Sequence, residues 1–141
     1  MIIFNSNSVK ETESFAADFA KNLHGGEVIA YRGGLGMGKT AFTRGLAHGL
    51  GNTSFVSSPT FAIVNDYGGA PHLYHFDMYR IETQDDLESV GFFDYMNDDS
   101  IICAEWSENI EYALPDNTIY IEFIRISDNE RTIKIYGKND K

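Results

Sequence analysis

A chain of 141 residues can bury a single core, so one domain spanning residues 1–141 is expected, and 43% hydrophobic with 13% aromatic residues exclude a disordered polymer. No apolar run approaches membrane-spanning length, and the N-terminus lacks a basic stretch followed by an apolar one, which predicts a cytoplasmic protein without a membrane partner. The net charge of −10, from 21 acidic against 11 basic residues with no Lys/Arg cluster, excludes a strong direct grip on nucleic acid; an RNA in its biology would be held by another protein.

The first predicted element is a helix. Ser8 and Glu11 have the spacing of a capping box, and Phe15, Phe19 and Leu23 follow at helical period before His24-Gly25-Gly26 ends the run. Val28 to Tyr31 is apolar and bounded by glycine pairs, as a short buried strand should be. A second helix follows, with Phe42, Leu46 and Leu50 as its stripe and Gly49 and Gly51 at its end.

Between that strand and that helix lies GGLGMGKT, residues 33–40. It fits G-x-x-x-x-G-K-[ST], the P-loop pattern, with Gly33, Gly38, Lys39 and Thr40 in the fixed places. Glycines let successive backbone N–H groups curl around a phosphate chain without Cβ clashes. The following helix turns its positive end toward the same anion. Lys39 would add a full charge at the β/γ phosphates, and the Thr40 hydroxyl can ligate Mg²⁺. Strand, glycine loop and helix in succession point to nucleotide binding. No guanine-specific N-K-x-D stretch occurs, which favours ATP over GTP.

Further on, FAIVNDY and HLYHFDMYR flank Gly68-Gly69-Ala70-Pro71 as two strands joined by a turn. Thr83 caps a short acidic helix through Leu87 and Val90 to Gly91. Ser100-Ile-Ile-Cys-Ala is a second continuous apolar strand that runs into Glu105-Trp106; Cys103 inside it, the only cysteine, reads as a buried, inert thiol. Ser107 opens a helix that stops before Pro115, and TIYIEFIRI and RTIKIYG form a terminal hairpin around Ser127-Asp-Asn-Glu. Parallel buried strands with antiparallel ones beside them predict a three-layer α/β sandwich on a mixed sheet.

Glu105 is the candidate metal carboxylate, since four apolar residues lead straight into it from a strand expected beside the P-loop strand. Asp77 is the other acid, where a strand gives way to Tyr79-Arg80; its competing role is a structural partner of Arg80. Thr60, after Ser58-Pro59, has the setting of a switch threonine, with an ordinary turn as the plain alternative. Trp106, directly after Glu105, is either core or a contact close to the phosphates or to a docking surface. His72 and His75 do not read as a metal pair, because no further His or Cys stands near enough in sequence.

With GGLGMGKT, SSPTFAIVNDY, YHFDMYRI, IICAEWSE and the late LP in this order, the chain resembles the TsaE (YjeE) family, the bacterial P-loop ATPases of tRNA threonylcarbamoyladenosine (t6A) biosynthesis. The resemblance covers nearly the whole sequence. It implies a P-loop NTPase-like fold with Mg-ATP bound at Leu35, Gly36, Met37, Gly38, Lys39 and Thr40. It implies Thr40 and Glu105 as metal ligands, and Asp77 and Trp106 with Lys39 as residues needed for turnover. Ser8 and Arg131 would lie near the outer edge of the nucleotide. The family acts with TsaD and TsaB, which modify the tRNA, and ATP hydrolysis is thought to reset that complex. The chain departs from the family at Gly34, where Asp is favoured, and at Met37, where Ala is favoured. Both are variable positions of the phosphate pattern. Two other classes fit a P-loop: a small-molecule or nucleoside kinase, which clamps its phosphoryl group with several arginines, and a nucleotide-gated binding module.

Overall fold

The computed structural model describes residues 1–33, 38–51 and 64–138. Its elements are β1 (Ile2–Ser6), α1 (Val9–Ala20), β2 (Val28–Arg32), α2 (Lys39–Gly49), β3 (Val64–Asp66), β4 (His72–Asp77), α3 (Gln84–Ser89), β5 (Ser100–Glu105), β6 (Ile119–Arg125) and β7 (Arg131–Gly137). Two 3₁₀ segments, Phe92–Tyr95 and Ser107–Ala113, complete the path, the second kinked at Ile110. All seven strands join one sheet in the order β1-β7-β6-β2-β5-β4-β3. β2 is parallel to β5 and to β6, and β4 is parallel to β5. β7 is antiparallel to β1 and β6, and β3 to β4.

The two continuous apolar runs are central strands because both of their faces are covered. Ile29 and Tyr31 of β2, with Ile101 and Cys103 of β5, pack on one face among Ala16, Phe42 and Leu46 of α1 and α2. Val28, Ala30, Ile102 and Ala104 point the other way, into a core with Phe76, Leu87, Phe92 and Ile110. Helices on one side and short helical segments on the other make the expected three layers. Cys103 is fully buried, and burial pushes its thiol up to about 12, in keeping with an inert core residue.

Ser8 caps α1 by accepting from the Glu11 N–H at 3.1 Å; the Glu11 carboxylate reaches back to the Asn7 N–H rather than to that of Ser8. The regular helix stops at Ala20, earlier than Leu23, and single turns carry the chain to Leu23, which is buried as expected. Thr83 and Asp86 form a full capping box at α3. The sequence reading assigns nothing before Ser8, yet β1 lies there. It is an edge strand with Ile2 and Ile3 exposed, so no in–out alternation marks it.

α1 and α2 lie against each other so closely that Gly45 has no room for a side chain. A Cβ there would stand 2.3 Å from the Glu13 carbonyl oxygen and 2.7 Å from the Ala16 Cβ. Gly45→Ala is therefore expected to cost about 1–3 kcal/mol by overpacking, despite alanine's better helix propensity. The check is a lower urea midpoint at unchanged slope. An unchanged midpoint would mean that the two helices part freely.

Candidate phosphate-binding site

β1, β6, β2, β5 and β4 all run in one direction, so their carboxyl ends share one edge of the sheet. In open α/β sheets that edge is where ligands bind. β2 ends there at Arg32 and enters the loop at Gly33, which has φ +123°. A Cβ on Gly33 would lie 2.7 Å from the Phe123 carbonyl oxygen of β6, so only glycine fits. Gly38 caps α2 at φ +102°, leaving the first N–H groups of α2 without a side-chain cap. Such a helix start has donors available for an anion. Lys39 and Thr40 are its first residues, the Thr40 side chain on the exposed side. Leu35, Gly36, Met37 and Thr60 lie outside the described residues.

Glu105 and Asp77 are cross-strand neighbours at the ends of β5 and β4. Strand alternation puts Glu105 on the same face as Cys103 and Tyr31, and Asp77 on the same face as Leu73, which is the α2 face. Burial alone would push the Glu105 carboxyl up. The His75 imidazole beside it and the charge of Lys39 outweigh burial and hold it below the usual carboxylate range. Glu105 is thus an ionised carboxylate facing the P-loop lysine. Asp77 is exposed and its Oδ1 accepts from the Tyr79 N–H at 3.0 Å, bending the chain out of β4. Its structural bond is this turn; no ion pair with Arg80 forms among the described residues.

Trp106 is not core. It is 37% exposed, holds a left-handed backbone with φ +56°, and its ring lies 4.9 Å from that of Tyr79. Hydrogen bonds on either side fix this bend. The Met78 N–H donates to the Glu105 carbonyl at 3.0 Å, the Asn109 side chain donates to the Met78 carbonyl at 2.9 Å, and the Ser107 hydroxyl donates to the Tyr31 carbonyl at 2.9 Å. Arg32 pairs with Glu108 at 3.2 Å and Glu111 at 2.5 Å, tying the end of β2 to the segment after Trp106.

Ser8 and Arg131 reach the same sheet edge, since Ser6 stands opposite Arg131 in the β1–β7 pairing. Ser8 is engaged as the α1 cap, and Arg131 Nη1 donates to the Ser127 and Glu130 carbonyls, closing the hairpin turn. His72 pairs with Asp66 at 2.9 Å, and no group of three or more His, Cys, Asp or Glu side chains suited to a metal occurs among the described residues. Sequence reasoning missed Tyr31. Its hydroxyl shares a 2.8 Å hydrogen bond with Thr43 Oγ1, which donates to the Lys39 carbonyl at 2.8 Å. Burial pushes the Tyr31 phenol well up, so it stays neutral beneath the first turn of α2. A hydroxyl at the end of the β2 run was the available signal.

The fold, with Gly33 and Gly38 framing the start of α2 at the carboxyl edge, defines a P-loop NTPase-like α/β sandwich. The family model described as threonylcarbamoyl adenosine biosynthesis protein TsaE matches residues 6–133, and the chain belongs to that family. The tRNA threonylcarbamoyladenosine biosynthesis protein TsaE of Bacillus subtilis is 41% identical over 130 residues, covering 92% of this chain and 79% of that one. The Rickettsia prowazekii protein of the same description is 36% identical over 135 residues, covering 94% and 93%. The crystal structure of Bacillus subtilis YdiB superposes with a TM-score of 0.74 at 31% identity, covering 99% of this chain and 87% of that one. Among the described residues no helix is long and apolar enough to cross a membrane.

Proposed function

We propose that the chain is a cytoplasmic, single-domain Mg-dependent ATPase that supports t6A modification of tRNA by acting on a TsaD–TsaB complex. The observation that carries this reading is the meeting, on the α2 face of the carboxyl edge, of the glycine-framed helix start, Lys39, and an ionised Glu105. The donor set fits Mg-ATP. Backbone N–H groups and Lys39 would hold the phosphates, while Thr40 and Glu105 would supply hard oxygen ligands to Mg²⁺. Bound there, Mg²⁺ would offset negative charge on the phosphate oxygens. Asp77, the cross-strand neighbour of Glu105, would be the acid that orients water in this reading. Ser8 and Arg131 border the same edge as candidate contacts for the outer part of the nucleotide, and Leu35, Gly36, Met37 and Thr60 complete the proposed set. The net charge of −10 supports tRNA being held by the partners rather than by this chain.

The arginines support a hydrolase over a kinase. Arg32 is locked to Glu108 and Glu111, Arg44 pairs with Glu13 at 3.4 Å, Arg125 pairs with Asp128, and Arg131 closes its turn. Three of the five arginines in the sequence, Arg32, Arg44 and Arg125, thus already pair with acids, which leaves few for a phosphoryl clamp.

Trp106 is the proposed link from nucleotide state to partner. Trp106 follows Glu105 directly in the chain and sets its exposed ring against Tyr79, so Trp106→Ala should keep Mg-ATP affinity and lose partner-stimulated turnover. The test measures ATP binding and phosphate release with and without TsaD, TsaB and tRNA. Free phosphate that rises with partners, with no phosphorylated metabolite, is expected. A phosphorylated small molecule would establish the kinase instead, and ATP binding without turnover, partners included, would establish a binding module.

A further inference from the structure

The His75 imidazole is 13% exposed, yet among the described residues neither ring nitrogen has a hydrogen-bond partner. Buried polar groups in folded proteins are nearly always paired, so an orphaned imidazole calls for a role. Its ring lies among Tyr31 at 6.4 Å and Tyr67 at 6.3 Å, centroid to centroid, which fixes its plane. His75 stands opposite Cys103 in the β4–β5 pairing, two residues before Asp77 and on the same face. The Glu105 carboxylate stands close by, with Oε2 3.6 Å from Nε2, just beyond a hydrogen bond.

We propose that His75 is a positioning residue for Glu105: its Nε2–H takes one carboxylate oxygen and leaves the other directed to the nucleotide site. A glutamate has three rotatable bonds, and this one is 21% exposed at a strand end, so an unheld side chain would sample several rotamers. An imidazole held between two tyrosines on the neighbouring strand removes that freedom. The role does not depend on a change of charge, since the neutral tautomer protonated at Nε2 also donates. Outer groups that orient a metal-binding side chain typically govern metal affinity by 10–100-fold. The inference rests on the Mg-ATP reading for its functional consequence, but not for the His75–Glu105 pair itself.

The test uses His75→Phe, which keeps ring packing and removes the donor, and His75→Gln, whose amide nitrogen can replace Nε2. The Mg²⁺ concentration for half-maximal hydrolysis should rise roughly tenfold in His75→Phe and return close to wild type in His75→Gln. ATP binding in EDTA should be the same in all three proteins. A second readout needs neither metal nor nucleotide: the stabilities of His75→Phe, Glu105→Gln and the double variant should be non-additive in the free protein. Unchanged Mg²⁺ dependence in His75→Phe, or a Gln variant no better than Phe, would overturn the proposal and make His75 packing alone. If wild type shows no Mg²⁺-dependent hydrolysis, the functional reading fails, and the free-protein cycle decides the pair: additivity overturns it, coupling upholds it.

Discussion

Lys39→Ala folds normally and loses most of its ATP affinity and all turnover: this is the expected result with the largest effect on binding. Lys39 opens α2 next to an uncapped helix start, and its charge is felt at Glu105 across the site. A charge-assisted contact to phosphate is worth roughly 1.5–3 kcal/mol, or about 10–150-fold in affinity. Calorimetric titration measures it. Unchanged affinity in a folded Lys39→Ala protein would remove the phosphate assignment from the loop, because no other lysine follows Gly38 in the pattern.

The second large effect falls on chemistry rather than binding. Glu105→Gln keeps size and polarity but removes the charge that burial opposes and that His75 and Lys39 sustain. Hydrolysis should drop by roughly 100-fold or more, as expected when several kcal/mol of metal-centred charge stabilisation is lost. Mg²⁺-independent nucleotide binding should persist, since Lys39 and the helix start remain in place. Phosphate release and a titration in EDTA, run on the same preparation, separate the two. Equal loss of both would place Glu105 in the structural support of the loop instead.

The acid pair and the loop were legible in the sequence because each sits where an apolar run stops. IICA leads into Glu105 and VIAYR into Gly33, and in open α/β sheets the carboxyl ends of buried parallel strands are where ligand-binding side chains gather. The hairpin of β6 and β7 and the capped α3 were legible from alternation and capping spacing. β1 was not, since an edge strand with exposed Ile2 and Ile3 carries no periodic mark. The 3₁₀ segment at Phe92–Tyr95 left no mark either, since one short turn is too brief for a hydrophobic period. The Tyr31–Thr43–Lys39 chain and the His75–Glu105 contact join residues distant in sequence, and only the parallel register of the sheet reveals them. Trp106 was open between core and contact on sequence alone; its left-handed backbone, which turns the ring outward onto Tyr79, depends on bonds from Met78 and Ser107 that no local pattern encodes.

In the proposed function, ATP hydrolysis at this site sustains repeated rounds of tRNA modification by partner proteins. The direct measurement is the amount of t6A formed per TsaD–TsaB complex in a purified reaction supplied with wild-type chain or with Glu105→Gln. Continued accumulation with wild type, and arrest after the first round with Glu105→Gln, is the predicted result. Equal accumulation with both proteins, at matched ATP occupancy, would contradict it.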